Sequence, residues 1–468
     1  MEENLQNKKY LTVKELIFYS LGLFGLQAII FYINSYQVEF YSGSGMIDAS
    51  KMVIVTFIIL AAKLVSAVFD PLIGNLIDSK KGGKHGKLKP FIVISTIPLS
   101  ILTVLIFCKV NLTGFALYAY IFVTTTLWSV AMTLGDVPSQ GMSAVITPNP
   151  TERNNLIGFS GTLKSIGQAA PYVVVPAVCL CVPGGAGIEG TISTTEYLWC
   201  AIVISVLGSL MFLGIFFFNK ERVPYEAERV SLKDMFGIIK NNKYLLLVVA
   251  SYFLGFARQG AMAIQAQTAN AILGGANKII ILGISTAVGT VISMAVTPIL
   301  IKKFDEKKVF IAMSIYGGVS SVLAYFVAVW TNFNLIALIA TLFLMGLQFG
   351  AVNIMPMIMV ADSVDYYEWK TGKRTEGVAY AVLSLCIKVT LALGAAVCLA
   401  WVFADFTGYQ ANMTEFSDSV KKGVFFSYTV IPGITSALAA IPIFFYDLVG
   451  DKKKQISADL AARRGVVE

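Results

Sequence analysis

Apolar residues in this chain are gathered into long blocks that are separated by short polar segments. Repeated blocks of roughly 20 apolar residues match the length that a helix needs to cross the hydrocarbon core of a bilayer. The blocks lack the strict alternation that is typical of membrane-barrel strands. The pattern therefore predicts twelve membrane-spanning helices, at about 15–40, 52–78, 90–108, 113–146, 156–182, 196–218, 244–272, 277–301, 308–330, 334–361, 377–403 and 424–447.

The longest polar stretch, 219–243, divides the twelve blocks into six and six. Short basic loops follow blocks 2 and 8, which hold equivalent places in the two halves. This layout is typical of the major facilitator fold. We predict an all-α membrane protein with two pseudo-symmetric six-helix bundles, at 1–218 and 244–447, joined by a cytoplasmic connector at 219–243 and followed by a cytoplasmic tail at 448–468.

Composition and charge support a membrane protein. The chain is 56% hydrophobic and only 14% charged, which is less charge than the surface of a soluble domain of this length needs. Its net charge is +8, and the lysines and arginines are concentrated in alternate loops and at both termini. The positive-inside rule then predicts a multi-pass protein of the cytoplasmic membrane with both termini in the cytoplasm. No basic patch is interleaved with aromatic residues, so we expect no nucleic-acid partner.

The sequence offers no enzyme chemistry. The six cysteines match no zinc or redox spacing. The single histidine, His85, lies in a basic loop, and no serine or cysteine has an evident partner base. We therefore expect neither catalysis, nor a metal site, nor a cofactor. The first residues lack a signal-peptide pattern, so the first block is expected to be retained as a helix.

Several ionisable residues lie deep inside the predicted helices, where each costs about 2.5–3.5 kcal/mol on insertion scales. They are Lys63, Asp70, Asp136, Lys164, Arg258 and Lys388. Secondary transporters place solute and ion sites at this depth, between their two halves. The alternative for each residue is an ion pair that only locks helices together.

Block 2 presents a polar face, because Lys63, Ser66 and Asp70 follow a helical spacing. A carboxylate on this face can bind a cation or take up a proton. In block 4, Thr133 stands one turn before Asp136. A proline follows each aspartate within two residues, and we expect a perturbed backbone there.

A second charged cluster lies where blocks 2 and 10 end, on the predicted cytoplasmic side. Opposed charges at the mouth of a cavity can form a gate, whereas the alternative is a solvated loop whose ion pairs contribute little. The gate candidates are Asp78, Asp362, Asp365, Glu368 and Arg374.

Four segments resemble the glycoside-pentoside-hexuronide:cation symporter family (melibiose permease-like) of the major facilitator superfamily. They are FDPLIGNLIDSKKGGKHGKLKPF at 69–91, TLGDVPSQGMSAV at 133–145, TERNNL at 151–156 and ADSVDYYEWKTGKRTEG at 361–377. The resemblance covers the whole chain in order. It implies secondary active symport of a sugar, glycoside or hexuronide with a proton or sodium ion by alternating access.

The resemblance also implies roles for individual residues. It assigns cation coupling to Asp70, Ser66, Thr133, Lys63 and Ser384. It assigns solute binding to Gln27, Asp136, Gln140, Lys164 and Lys388.

The chain departs from the family pattern at several of these positions. Gln27 replaces a solute-binding aspartate, Gly161 an arginine, and Gln140 a tryptophan that stacks on the sugar. Lys164 stands one turn after the missing arginine, and Ser66 replaces the second carboxylate of the cation site. Galactoside specificity and a sodium site with two carboxylates therefore do not follow from the resemblance.

The expected partners are a sugar-type solute, a monovalent cation and the lipid bilayer. Two alternatives remain open: a lysolipid-type carrier of the same superfamily, and a transporter-like sensor that binds a solute without moving it. The four basic and two acidic mid-membrane residues also leave a formal excess of positive charge, which makes an acidic sugar a candidate solute.

Overall fold

The computed structural model describes residues 9–79, 83, 86–182, 192–223, 232–372, 376–411, 413 and 415–463. Within these residues, twelve helices are long and apolar enough to cross a membrane. We number them as spans 1 to 12: Val13–Gly43, Met52–Gly74, Lys89–Ile106, Gly114–Val145, Asn155–Cys181, Thr194–Phe218, Lys243–Leu273, Ala276–Phe304, Glu306–Trp330, Leu335–Thr371, Gly377–Val402 and Asp418–Phe444. This confirms the predicted all-helical membrane fold.

Several helices extend beyond these spans. The helix of span 2 continues to Ser79, that of span 5 begins at Pro150, and that of span 11 begins at Glu376. Two further helices flank the second set of spans: a connector helix at Leu232–Asn241 and a tail helix at Gly450–Arg463.

Side-chain caps fix the start of several spans. Thr12 and Glu15 form a capping box at the start of span 1, in which each side chain bonds to the other residue's backbone N–H. Ser193 and Glu196 form the same box at span 6. These caps satisfy N–H groups that the first turn of a helix leaves unpaired.

Span 10 is about ten residues longer than its apolar block indicates. The helix runs on through the acidic segment because no breaker interrupts it before Gly372, which caps it at φ 72°. That left-handed conformation favours glycine. Asp362, Asp365 and Glu368 therefore lie on the last turns of a helix and not in a loop.

Span 7 is broken, and its break is not at a proline. Its α-helix ends at Leu254, a 3₁₀ segment covers Phe256–Ile264, and an α-helix resumes at Gln265. The 3₁₀ segment packs tightly on span 11, because a methyl group on Gly394 would lie 2.3 Å from the Phe256 carbonyl oxygen. Spans 2 and 4 instead stay helical through the prolines where we expected a perturbed backbone.

The chain forms two compact units. The first comprises Met1–Arg229, Ala269–Ile280 and Phe403–Phe416, and the second comprises Val230–Thr268, Ile281–Val402 and Ser417–Glu468. The division into bundles at 1–218 and 244–447 stays a prediction.

In the first unit, span 1 packs against spans 5 and 6, and span 4 packs against spans 2 and 3. Buried aromatic rings, among them Tyr32, Phe107 and Tyr197, pack against one another inside it. In the second unit, span 9 packs against spans 10 and 12, and the 3₁₀ segment packs against spans 11 and 12.

Candidate functional site

The two carboxylate oxygens of Asp136 on span 4 differ in their hydrogen bonding. Its Oδ2 accepts a hydrogen bond from Gln140 Nε2 at 2.7 Å, one helical turn away. Its Oδ1 is buried and has no hydrogen-bond partner among the described residues. A buried acceptor in this condition costs free energy until a donor reaches it. A sugar hydroxyl is a donor of the required kind.

Spans 1 and 5 present polar groups to each other. Gln27 Oε1 is buried and accepts a hydrogen bond from Gln168 Nε2 at 3.3 Å. Lys164 lies one turn before Gln168, is half-buried, and has no hydrogen-bond or ion-pair partner within the described ranges. A Cβ atom added at Gly161 would meet no atom within 4 Å, so open space surrounds this position. Sequence reasoning missed Gln168, although its spacing from Lys164 was a usable signal.

Span 2 carries the predicted cation-coupling residues. Lys63 Nζ donates to Asn34 Oδ1 on span 1 at 3.0 Å, and in the described chain no carboxylate pairs with Lys63. Ser66 is buried and donates to the Lys63 carbonyl oxygen at 2.8 Å. Asp70 is half-buried on the same helix. Because span 2 packs along span 4, the helices of Asp70 and of the buried Thr133 lie side by side.

The second unit contributes a buried guanidinium. Arg258 lies in the 3₁₀ segment of span 7, is 3% exposed, and its Nε has no hydrogen-bond partner among the described residues. Its Cζ lies 5.4 Å from the centre of the Tyr252 ring. Thr390 of span 11 and Gln259 line the same small pocket, and Gln259 Nε2 donates to Asn353 Oδ1 at 3.2 Å.

Other polar groups of the second unit differ widely in exposure. Lys388 on span 11 is half-buried, whereas Ser384 one turn earlier is exposed. Gln267, in the last part of span 7, is fully buried, and neither end of its amide has a partner in the described part of the chain. Sequence reasoning missed Gln267, because a neutral amide in an apolar block gives no charge signal.

The gate candidates form part of a charged cluster that the sequence did not reveal. Lys453 of the tail helix bonds to Asp362 at 2.7 Å and to Glu306 at 2.5 Å. Partial burial disfavours the charge on Lys453, but the hydrogen bonds to both acids outweigh it and raise the lysine pKa. Trp369 Nε1 also donates to Asp459 Oδ2 at 2.8 Å. The tail helix is therefore tied to the end of span 10.

The structure describes the side chains of only two of the remaining gate candidates. Asp365 and Glu368 are half-buried on the same helix end. The Asp78 side chain and Arg374 lie outside the described residues.

The first unit has a comparable cluster at the ends of its spans. Glu221, just after span 6, accepts backbone N–H bonds from Lys87, Leu88 and Lys89 at 2.7, 2.9 and 3.0 Å. Arg222 pairs with Glu15 at 2.9 Å. The loop between spans 2 and 3 is thus fastened to the start of the connector.

Comparisons with known proteins agree with this architecture. The family described as MFS/sugar transport protein matches residues 18–450. The "Inner membrane symporter YicJ" of Escherichia coli (strain K12) is 26% identical, over 96% of this chain and 95% of its own length. The "Putative glycoside/cation symporter YagG" of the same strain is 25% identical, over 97% and 96%. The crystal structure of a D-xylose-proton symporter superposes with a TM-score of 0.65 at 14% identity, over 95% of this chain and 99% of that one, which shows a shared fold.

Proposed function

The chain belongs to the MFS/sugar transport protein family, and we propose that it is a secondary active transporter that couples a monovalent cation to a sugar, glycoside or hexuronide by alternating access. Family membership makes it a multi-pass membrane transport protein and not an enzyme, as the sequence predicted. What is proposed here is the coupling to a cation gradient, the class of solute and the roles of individual residues.

One observation carries the proposal. Relatives named as a symporter and as a putative glycoside/cation symporter align with this chain over almost their whole length. Asp136 Oδ1, which has no hydrogen-bond partner among the described residues, and the Gln27–Gln168 pair supply the acceptors and donors that a polyhydroxylated solute requires.

In this proposal Asp136, with Gln27, Gln140 and Lys164, binds the solute. Asp70 holds the cation, with Ser66 and Lys63 on the same face of span 2 and Thr133 on the adjacent span 4. Lys388 links the two sites, with Ser384 one turn away. The spans 2–3 loop and the end of span 10 gate the side on which both termini lie, which is the cytoplasm by the positive-inside rule.

We take the proton as the leading coupling ion and sodium as the alternative. Ser66 supplies no second carboxylate beside Asp70. A single negative charge compensates a desolvated sodium ion less well than two would, whereas one carboxylate is sufficient to bind a proton.

The test is uptake of radiolabelled sugars into proteoliposomes, with proton, sodium and lithium gradients applied in turn. We expect one solute of the panel to accumulate, driven by one of these gradients. A solute that binds but is never transported would identify a sensor instead. Competition by lysolipid but not by any sugar would identify a lysolipid-type carrier.

A further inference from the structure

Near the end of span 1 lies a buried carboxyl group that the proposed mechanism does not use. Glu39 is 2% exposed. Its Oε1 accepts hydrogen bonds from the Tyr409 hydroxyl at 2.8 Å and from Asn270 Nδ2 at 3.1 Å. Asn270 Nδ2 also lies 3.1 Å from the Tyr409 oxygen and 3.0 Å from the Ala411 carbonyl oxygen. Glu39, Asn270 and Tyr409 are each 2% exposed, and we call them the Glu39 triad.

The triad holds no basic group. Glu39 Oε2 is buried and has no hydrogen-bond partner in the described part of the chain. The titratable groups that face Glu39 are Tyr409, Tyr36 on its own helix and Tyr197 on span 6. In the described ranges, no lysine, arginine or second carboxylate joins them.

These surroundings favour the neutral form of the carboxyl group. An ionised carboxylate would lose its hydration with no cation to compensate, whereas a neutral group loses far less. The Tyr409 ring lies between Phe403 and Phe416, at centroid distances of 5.6 and 5.5 Å, which keeps that side of the triad apolar. Oε1 can also accept both hydrogen bonds as the carbonyl oxygen of a neutral acid.

The triad also joins parts of the chain that are far apart in sequence. Asn270 belongs to the segment Ala269–Ile280, and Tyr409 belongs to Phe403–Phe416. Both segments are part of the first unit, yet they continue directly into chain that belongs to the second. The three side chains therefore fasten these segments to span 1, at the end remote from the N-terminus.

We infer that Glu39 is a proton-binding site separate from Asp70, which holds its proton while the triad is closed and loses it when water enters the triad. Proton binding and closure are then linked, since a proton bound only in the closed state changes the closing equilibrium by about tenfold per pH unit. Rising pH therefore favours opening. The role of this opening in transport rests on the proposed alternating access, but the site itself does not.

Hydrogen–deuterium exchange of the full-length protein in lipid nanodiscs tests this inference without any solute. Exchange in segments 269–280 and 403–416 is measured at about pH 5 and about pH 9, which bracket the titration of buried carboxyl groups. Rates are corrected for the intrinsic pH dependence of amide exchange. The variants are Glu39→Gln, Tyr409→Phe and Glu415→Gln. Glu415→Gln is the matched control, because Glu415 is an exposed acid in the same segment as Tyr409.

We expect both segments of the wild-type protein to exchange at least tenfold faster at the higher pH, after correction. Glu415→Gln should keep this dependence, and Glu39→Gln should abolish it. Tyr409→Phe should exchange faster at both values but keep the dependence, because it removes a hydrogen bond and not the proton site. If Glu39→Gln does not fold, the Tyr409→Phe variant still tests the inference.

Equal protection of the two segments in the wild-type protein at both pH values, or an unchanged pH dependence in Glu39→Gln, would overturn the inference. Neither result bears on Asp70 or on the solute, so the proposed function would stand.

Discussion

At the scale of single residues, three of the membrane-embedded cations have no carboxylate partner among the described residues. In the described part of the chain, Lys63 bonds to an amide, Lys164 has no hydrogen-bond or ion-pair partner, and the guanidinium of Arg258 lies beside the Tyr252 ring. Charges at this depth are costly unless they are compensated. Ion pairs that merely lock helices do not account for these three residues. An anionic group of the solute would supply the missing compensation.

An acidic sugar should therefore be tested against its neutral counterpart. We expect a glucuronide to bind more tightly than the matching glucoside, and Lys164→Gln to reduce that preference by about tenfold, since a hydrogen bond to a charged group contributes about 1.5–3 kcal/mol. Competition binding of the two sugars measures the ratio. Lys109→Gln is the control, because Lys109 is an exposed lysine outside the spans. If the glucoside binds as well or better and Lys164→Gln leaves the ratio unchanged, the solute is neutral.

Sequence reasoning identified residues that carry a charge well inside an apolar block and missed those that do not. Asp70, Asp136 and Lys164 stand out because nothing around them in the sequence is polar enough to explain them. Glu39 lies near the end of its block, where a charge is inexpensive if water is close. Its burial depends on Tyr409 and Asn270, more than 200 residues away, so no local pattern could reveal it.

At the scale of helices, apolar block length predicted the number and order of the spans, because the bilayer imposes that length on each helix. It did not predict the break in span 7, since no proline marks the break; the 3₁₀ segment there packs closely on Gly394. Nor did it predict the tail helix, whose polar sequence gives no spanning signal. The tail helix docks through Lys453 and Asp459 instead.

The tail helix should stabilise the second unit through Lys453. Lys453→Met leaves Asp362 and Glu306, whose side chains are 11% and 13% exposed, without their shared cation. We expect a loss of about 1–3 kcal/mol in the free energy of unfolding, the cost of a buried acceptor without its donor. Thermal unfolding in detergent, followed by tryptophan fluorescence, measures it. Lys454→Met is the control, because Lys454 is the exposed neighbour on the same helix. Equal effects of the two substitutions would show that the cluster contributes nothing.

The pH dependence of this contribution has a definite sign. The pKa of Lys453 is raised in the folded protein above its ordinary value of 10.5. Its stabilising effect is therefore fully present below that value and is lost only as the pH rises through the folded-state pKa. Titration of Lys453 itself should therefore not weaken its contribution as the pH rises across the neutral range.

At the scale of the whole molecule, topology remains a prediction that charge distribution supports. Lys240→Cys, in the connector helix, should react with a membrane-impermeant maleimide only after cells are permeabilised, because the positive-inside rule places the connector in the cytoplasm. Asn332→Cys, in the loop between spans 9 and 10, should react in intact cells. Both side chains are exposed, and labelling is counted above the level of the native cysteines. The reverse pattern would invert the topology.

The central claim is that Asp70 couples a cation gradient to solute movement. Its most direct test compares wild type, Asp70→Asn and the control Asp48→Asn, an exposed acid between spans 1 and 2, in proteoliposomes loaded with the solute that the sugar panel identifies. We expect all three proteins to exchange labelled for unlabelled solute across the membrane. Wild type and Asp48→Asn should also accumulate solute against its gradient when the cation gradient is applied, whereas Asp70→Asn should only equilibrate it. Gradient-driven accumulation by Asp70→Asn at the wild-type level would contradict the account.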